Sequence, residues 1–162
     1  MIKVLFVCLG NICRSPVAEG IFAKLVRERG VGGRILCDSC GTSNYHIGGS
    51  PDLRSSENAQ KNGLVLKHKA RQFSKEDFEK FDYILAMDAK NMAYIRALEN
   101  QAINATYTLM MMRDFDGLGK GTDVPDPYFG GSGGFQDVFD ILQRSNERLL
   151  DFVIDKASTI NS

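Results

Sequence analysis

The sequence predicts an α/β fold: a single-domain, three-layer α/β/α sandwich around a four-stranded parallel sheet, with a tight loop between the first strand and the first helix. Three observations lead there. Short apolar runs alternate along the chain with stretches of helical periodicity. The first run, Ile2 to Cys8, is β-branched, aromatic and nearly all apolar, as a strand buried on both faces is. The next residues, C-L-G-N-I-C-R-S from Cys8 to Ser15, have the composition of a sharp strand-to-helix junction.

Each element has its own signal. Gly10 and Asn11 are residue types that tolerate left-handed backbone angles. Ser15, Pro16 and the residues after them read as N-cap, proline at the first helical position, and helix. That helix is expected over Pro16 to Arg29, with Val17, Ala18, Ile21, Phe22 and Leu25 at helical spacing and Gly30 as the stop. Arg34 to Cys40 is the second strand, and strand, helix, strand implies a parallel pair with a right-handed crossover. Ligands in such sheets bind beyond the carboxyl ends of the strands, where the Cys8 loop lies. Residues 41 to 51 are rich in turn formers, and Asp52 to Asn62 is a helix ended by Gly63. Ser74-x-x-Asp77 opens a short helix, Asp82 to Met87 is the third strand, and Asp88 caps a helix continuing to about Leu98. Thr106 to Met111 is the fourth strand, and three adjacent methionines, Met110 to Met112, need nothing beyond packing. A long loop from Arg113 to Gly134 follows, in which Gly130-Gly131-Ser132-Gly133-Gly134 lacks the Lys-Ser/Thr of a nucleotide loop and reads as flexible. The last helix, Phe135 to about Ala157, repeats Val138, Ile141, Leu142, Leu149, Phe152 and Val153 and covers one face of the sheet.

Composition excludes several classes of function. With 162 residues the chain fits one domain, burying roughly two-thirds of its extended surface. Lys+Arg and Asp+Glu are both 20, so no global basic field points to nucleic acid and recognition of a charged ligand must be local. The apolar run at the start is short, breaks at Gly10-Asn11 and meets Arg14, unlike a secretory leader, and no stretch approaches a membrane span. Four cysteines are not needed as disulfides in a chain of this size, and a reducing cytoplasm is expected. Cys37 and Cys40 form a C-x-x-C, but this one ends a strand instead of opening a helix, so strand packing explains it better than redox or zinc chemistry.

The chemistry concentrates in the first loop. A strand–loop–helix junction aims successive backbone N–H groups and the positive end of a helix dipole at one point, which makes an anion site. Cys8 puts a sulfur among those donors, where the thiolate is favoured. Arg14 closes the ring with a planar guanidinium that takes two oxygens of a phosphate bidentately. The Ser15 hydroxyl stands in reach of the sulfur. Far along the chain, Asp126 lies between Pro125 and Pro127, which hold its backbone extended and stiff, as a carboxyl that must meet a leaving oxygen requires. Tyr45 is an aromatic in a polar loop, and His68 is one of two histidines with no triad partner in sequence.

The C-L-G-N-I-C-R-S stretch and the D-P-Y tripeptide at Asp126 to Tyr128 resemble the signature motifs of the low-molecular-weight protein tyrosine phosphatases, and the likeness extends over essentially the full length. The resemblance implies a phosphate-binding loop of Leu9, Gly10, Asn11, Ile12, Cys13, Arg14 and Ser15, with Cys8 as nucleophile, Arg14 holding oxygens and Asp126 as general acid. It implies a hydrogen-bond network of Asn11, Ser15, Ser39 and His68 behind the loop, and an aromatic slot lined by Leu9, Ile12, Tyr45 and Tyr128. Cys13 alone reads equally as a packed thiol or a redox partner; the resemblance implies a reversible disulfide with Cys8. Its implied substrates are phosphotyrosine-containing proteins, with inorganic phosphate and other oxyanions as product or inhibitors, no metal, no cofactor, no nucleic acid, no membrane insertion, and a monomer.

Four rivals share some of these features. A thiol-dependent arsenate reductase needs relay cysteines beyond the second strand, and no cysteine follows Cys40. A phosphocysteine carrier has no need of Arg14 with Asp126, and a silent phosphotyrosine-binding module would not keep both nucleophile and acid. In a protein arginine phosphatase of the same family a threonine is expected where Ile12 stands.

Overall fold

The computed structural model describes residues 1–128 and 133–160. Four strands, β1 (Ile2–Cys8), β2 (Ile35–Gly41), β3 (Tyr83–Ala86) and β4 (Thr108–Met111), form one parallel sheet in the order β2-β1-β3-β4. The helices are α1 (Arg14–Glu28), α2 (Leu53–Lys61), α3 (Asp77–Lys80), α4 (Ala89–Ala97) and α5 (Gly133–Ile160). The α/β/α expectation therefore holds. Among the described residues no helix is long and apolar enough to cross a membrane.

Strand β1 is central, and its alternation builds two cores. Val4, Phe6 and Cys8 face the side covered by α1 and α5, where they meet Ile21, Phe22, Leu142 and Leu149. Leu5 and Val7 face the other side, with Phe73, Phe78, Ile84 and Ile95. Val4 to Val7 are fully buried, which explains why the run carries no polar alternation. Cys37 packs on the first side and Cys40 on the second, as residues three apart in a strand must, so the C-x-x-C is a packing feature. Met110, Met111 and Met112 divide between the two cores in the same way.

Because β2 lies on one side of β1 and β3 on the other, successive connections part at the carboxyl end of β1. A crevice opens at such a switch point. The Cys8 loop leaves β1 there, and the Asp88 and Asp126 segments reach the same end from β3 and from beyond β4.

Several boundaries differ from expectation. Helix α1 starts at Arg14, so Ser15 and Pro16 lie inside its first turn, and the N-cap position is Cys13 without a side-chain capping bond. Ser15 is drawn away from capping because its hydroxyl serves Cys8 and Asn11 instead. Strand β2 runs one residue later than expected and ends on Gly41, paired with Cys8. Strand β4 begins at Thr108, and the loop after it opens with a 3-10 turn, Met112–Phe115. Helix α5 runs longer than expected at both ends. Residues 130 to 132 of the expected glycine-rich flexible segment lie outside the described residues.

The 3-10 turn sets up Asp116, whose side chain is fully buried. It accepts from Arg113 Nε at 2.9 Å, from Arg144 Nε on α5 at 2.7 Å, and from the Leu118 N–H at 3.0 Å. This carboxylate thus fastens the loop that carries Asp126 to the last helix. Burial acts to raise its pKa, but Arg144, the Leu118 N–H and Arg113 together outweigh that and hold it at about 2. A folded-state pKa below the ordinary Asp value of about 4 gives stability that is full above that value and is lost as pH falls through about 2. Asp116→Asn should lower stability by roughly 2 kcal/mol at neutral pH, through weakened charge-assisted hydrogen bonds. In urea unfolding at a series of pH values the gap to wild type should narrow on the acid side; a gap independent of pH contradicts the assignment.

Candidate active site

The loop from Cys8 to Arg14 turns its carbonyls outward. Cys8 O accepts from the Thr42 N–H at 2.9 Å, Leu9 O from the Ser43 N–H at 3.0 Å, and Ile12 O from the Asp52 N–H at 2.8 Å. In a trans peptide unit the N–H points opposite to the C=O, and no peptide here is cis. The N–H groups of Leu9, Gly10 and Cys13 therefore point to the inside of the loop. Asn11, with φ 57°, takes the left-handed conformation expected of it. Gly10 is not left-handed; its value is space, since an added Cβ would stand 3.0 Å from the His46 ring.

The Cys8 sulfur sits at the centre, 2% exposed at the residue level. It accepts from the Asn11 N–H at 3.2 Å and lies 3.0 Å from Ser15 Oγ. Asn11 also organises what stands behind. Its Nδ2 donates to Ser15 Oγ at 2.8 Å and to Ser39 Oγ at 3.0 Å, while its Oδ1 accepts from the Arg71 N–H at 3.0 Å and lies 2.7 Å from His68 Nε2. The four residues expected to form a network are thus in contact. Three more were missed by sequence reasoning: Glu19, which accepts from Ser39 Oγ at 2.7 Å, Asp38, and Arg71, which donates from Nε to Asp38 at 3.0 Å. Nothing in their spacing pairs them, because helix, strand and loop bring them together from separate parts of the chain.

Arg14 is buried and held from several sides. Its Nη1 donates to Asp88 Oδ2 at 2.7 Å and to Val124 O at 3.0 Å, and its Nη2 lies 3.6 Å from Asp126 Oδ2. Burial works against its charge, but the Cys8 sulfur, Asp88 and Asp126 outweigh this and hold the guanidinium above its ordinary pKa. Asp88 caps α4 through the Asn91 N–H as expected, and its second oxygen does the further work of aiming Arg14. The Asp126 segment is tied down by Val124, whose N–H donates to Met87 O at 2.7 Å, and by the Tyr128 N–H, which donates to Asp126 Oδ1 at 3.0 Å. Asp123 instead accepts from the Ala89 N–H at the start of α4.

Cys8, Arg14 and Asp126 share one cavity of about 160 Å³, lined also by Leu9, Gly10, Ile12 and Cys13 of the loop and by Tyr45, His46 and Tyr128. The chain matches the family model described as low molecular weight phosphotyrosine protein phosphatase over residues 3–159. It belongs to that family. A low molecular weight phosphotyrosine protein phosphatase of Schizosaccharomyces pombe is 46% identical over 139 residues, covering 85% of this chain and 88% of the relative. Its Mus musculus counterpart is 40% identical over 149 residues, covering 92% and 94%. Among solved structures, a protein tyrosine phosphatase from Entamoeba histolytica superposes with a TM-score of 0.88 at 37% identity, covering 97% of this chain and 99% of that one. A Drosophila arginine phosphatase gives the same TM-score at 34% identity, covering 94% and 98%. The phosphatase fold is thus shared by neighbours named for two different phosphorylated residues.

Within this phosphatase fold the four cysteines differ in their surroundings, and all are free. Burial pushes the Cys13 thiol up to about 12 against a hydrogen bond from Ser55, pushes Cys37 up to about 12, and raises Cys40 well above its ordinary value. Cys8 alone has a loop N–H, a hydroxyl and a guanidinium around its sulfur. Tyr45, 75% exposed, stands at the rim of the phosphatase cavity, with Leu9 and Tyr128 partly exposed beside it. His46, which sequence reasoning left out, faces Tyr128 with ring centroids 6.3 Å apart. Arg54 lies over the Tyr128 ring, 5.3 Å from its centroid, and fixes the far wall.

The end of β2 fits closely under the loop: a Cβ added at Gly41 would stand 2.6 Å from Leu9 O and 3.2 Å from Asn11 N. Backbone cannot move aside there without reshaping the phosphatase loop. Gly41→Ala should cost about 1–3 kcal/mol in thermal or urea unfolding and should weaken inorganic phosphate binding measured by calorimetry. Unchanged stability and unchanged phosphate affinity together would refute this packing argument.

Proposed function

We propose that the protein hydrolyses phosphotyrosine in protein substrates through a phosphocysteine on Cys8. The observation that carries the proposal is the meeting of three groups in one cavity: a sulfur held by a loop N–H and a hydroxyl, a buried guanidinium, and the Asp126 carboxyl 3.6 Å from that guanidinium. The Cys8 thiolate attacks phosphorus in line with the tyrosine oxygen, forming the S–P bond as the P–O bond breaks. Arg14 and the inward N–H groups take the charge on the equatorial oxygens. Asp126, in its acid form, gives its proton to the departing phenolic oxygen. Now a carboxylate, it accepts a proton from water, which attacks phosphorus and returns phosphate and the thiolate. Ser15 donates to the sulfur when it is a leaving group.

The apolar flanks Leu9 and Ile12 and the rings of Tyr45 and Tyr128 suit an aryl ester, with His46 as a further wall. Ile12 favours phosphotyrosine over phosphoarginine, because its side chain offers a guanidino group nothing but apolar contact. The four free thiols suit the reducing cytoplasm proposed for the protein, and the cavity is complete within one chain, consistent with action as a monomer.

Leaving-group chemistry tests the roles. A tyrosine phenol, with pKa near 10, departs poorly as its anion, whereas a nitrophenolate departs more easily. Asp126→Ala should lose about 10²–10⁴-fold in turnover of a phosphotyrosine peptide and less with nitrophenyl phosphate. Asp88→Ala and Asp123→Ala should show little dependence on the leaving group, since Asp88 acts through Arg14 and Asp123 through α4. A wild type faster on phosphoarginine than on phosphotyrosine, or a leaving-group dependence moved to Asp88 or Asp123, would overturn this assignment.

A further inference from the structure

We infer that Arg113 is a positioning residue for the Asp126 carboxyl and that Gly119 supplies the space its guanidinium occupies; the inference rests on the proton-donor role proposed for Asp126. Asp126 is itself exposed, and between residues 120 and 126 only Val124 is buried. Apolar packing thus holds this stretch at a single point. Pro125 and Pro127 restrict the backbone around Asp126, so Val124 to Pro127 behaves as one stiff piece. Where that piece points is decided by the peptide units just before it.

Two consecutive carbonyls there each accept from a guanidinium. Val124 O accepts from Arg14 Nη1 at 3.0 Å, and Asp123 O accepts from Arg113 Nη1 at 3.0 Å. The first bond belongs to the cavity already described, whereas the second comes from the 3-10 turn after β4. Arg113 is anchored at its near end: its Nε donates to Asp116 Oδ2 at 2.9 Å, and its own carbonyl accepts from the Gly121 N–H at 3.0 Å. Asp116 is bonded in turn to Arg144 on α5. The side chain is therefore a strut across the loop, from a buried carboxylate to the main chain three residues before the acid. A planar guanidinium serves two acceptors at fixed separation, which an ammonium does not. The Asp123 side chain has a different partner, the Ala89 N–H, so the carbonyl contact is independent of it.

Gly119 is the second half of the device. It has no left-handed angle, so the absent side chain is what matters. A Cβ added there would overlap Arg113 Nη2, stand 2.7 Å from Arg113 Cζ, and lie 3.0 Å from Thr122 Oγ1. The guanidinium is the tip of a flexible side chain and would withdraw. Gly119→Ala thus takes Nη1 away from Asp123 O while leaving the Arg113 charge beside Asp116.

The test is steady-state turnover of a phosphotyrosine peptide and of nitrophenyl phosphate by the full chain carrying Arg113→Ala, Gly119→Ala, or both. A misplacement of about 1 Å can cost about 10²-fold, so each single variant should lose roughly tenfold or more in kcat on the peptide and clearly less on nitrophenyl phosphate. KM should stay within about twofold, because substrate binding through Arg14 and the loop is untouched. Since Gly119 acts through Arg113, the double variant should be no slower than Arg113→Ala alone. An equal loss on both substrates, or losses that multiply in the double variant, overturns the inference; the latter would mean that Gly119→Ala acts through Thr122 or the backbone. If Arg113→Ala fails to fold with Asp116 short of one partner, Arg113→Lys, which keeps a charge there without the second donor, takes its place. Asp126→Ala is the reference. If it shows the leaving-group dependence and the Arg113 and Gly119 variants do not, this inference alone fails; if it shows none, the proton-donor reading and the inference fall together.

Discussion

The left-handed turn at Asn11 is the constraint on which the rest of the active end depends. One residue has to adopt φ 57°, present its N–H to the Cys8 sulfur and send its side chain back to Ser15, Ser39, His68 and the Arg71 backbone. A left-handed angle costs most residues on the order of 1 kcal/mol, and Asn is among the few that visit it routinely. Glycine would accept the angle but has no side chain to bridge the network. From this single residue follow the inward N–H groups, the placement of the sulfur, and the need for a glycine at position 41 under the loop.

Electrostatics completes what the backbone begins. Arg14 is buried, and a buried guanidinium persists only when its charge is met. Asp88 meets it from the end of β3 and Asp126 from the proline-flanked segment, so the cation is aimed before any oxyanion arrives. The Asp126 segment is in turn tied to β3 through Val124 and to α5 through Asp116. The carboxyl proposed as proton donor thus rests on two distant elements, a rigidity that prolines alone would not supply.

Much of this was legible in the sequence, because it is local. The β1–loop–α1 unit, its cysteine and arginine, the alternation of strands and helices and the stiff Asp126 segment all follow from residues adjacent in the chain. Errors arose where a tertiary contact outcompeted a local rule. Ser15 has the sequence of an N-cap but bonds Cys8 and Asn11, which moves the start of α1 to Arg14. Asp88 satisfies the capping rule with one oxygen, so its second role was hidden behind a correct first one. Glu19, Asp38, Arg71 and His46 carry no signal in spacing, because their meaning arises only when separate elements pack together.

The most direct test of the mechanism is rapid acid quenching during turnover of a phosphotyrosine peptide, followed by mass spectrometry of the Cys8 peptide. A sulfur nucleophile predicts phosphate on Cys8 in the wild type. Cys8→Ser should show neither that phosphocysteine nor turnover, while still binding inorganic phosphate through Arg14 and the loop. Turnover that survives Cys8→Ser, or phosphate trapped on another residue, contradicts it.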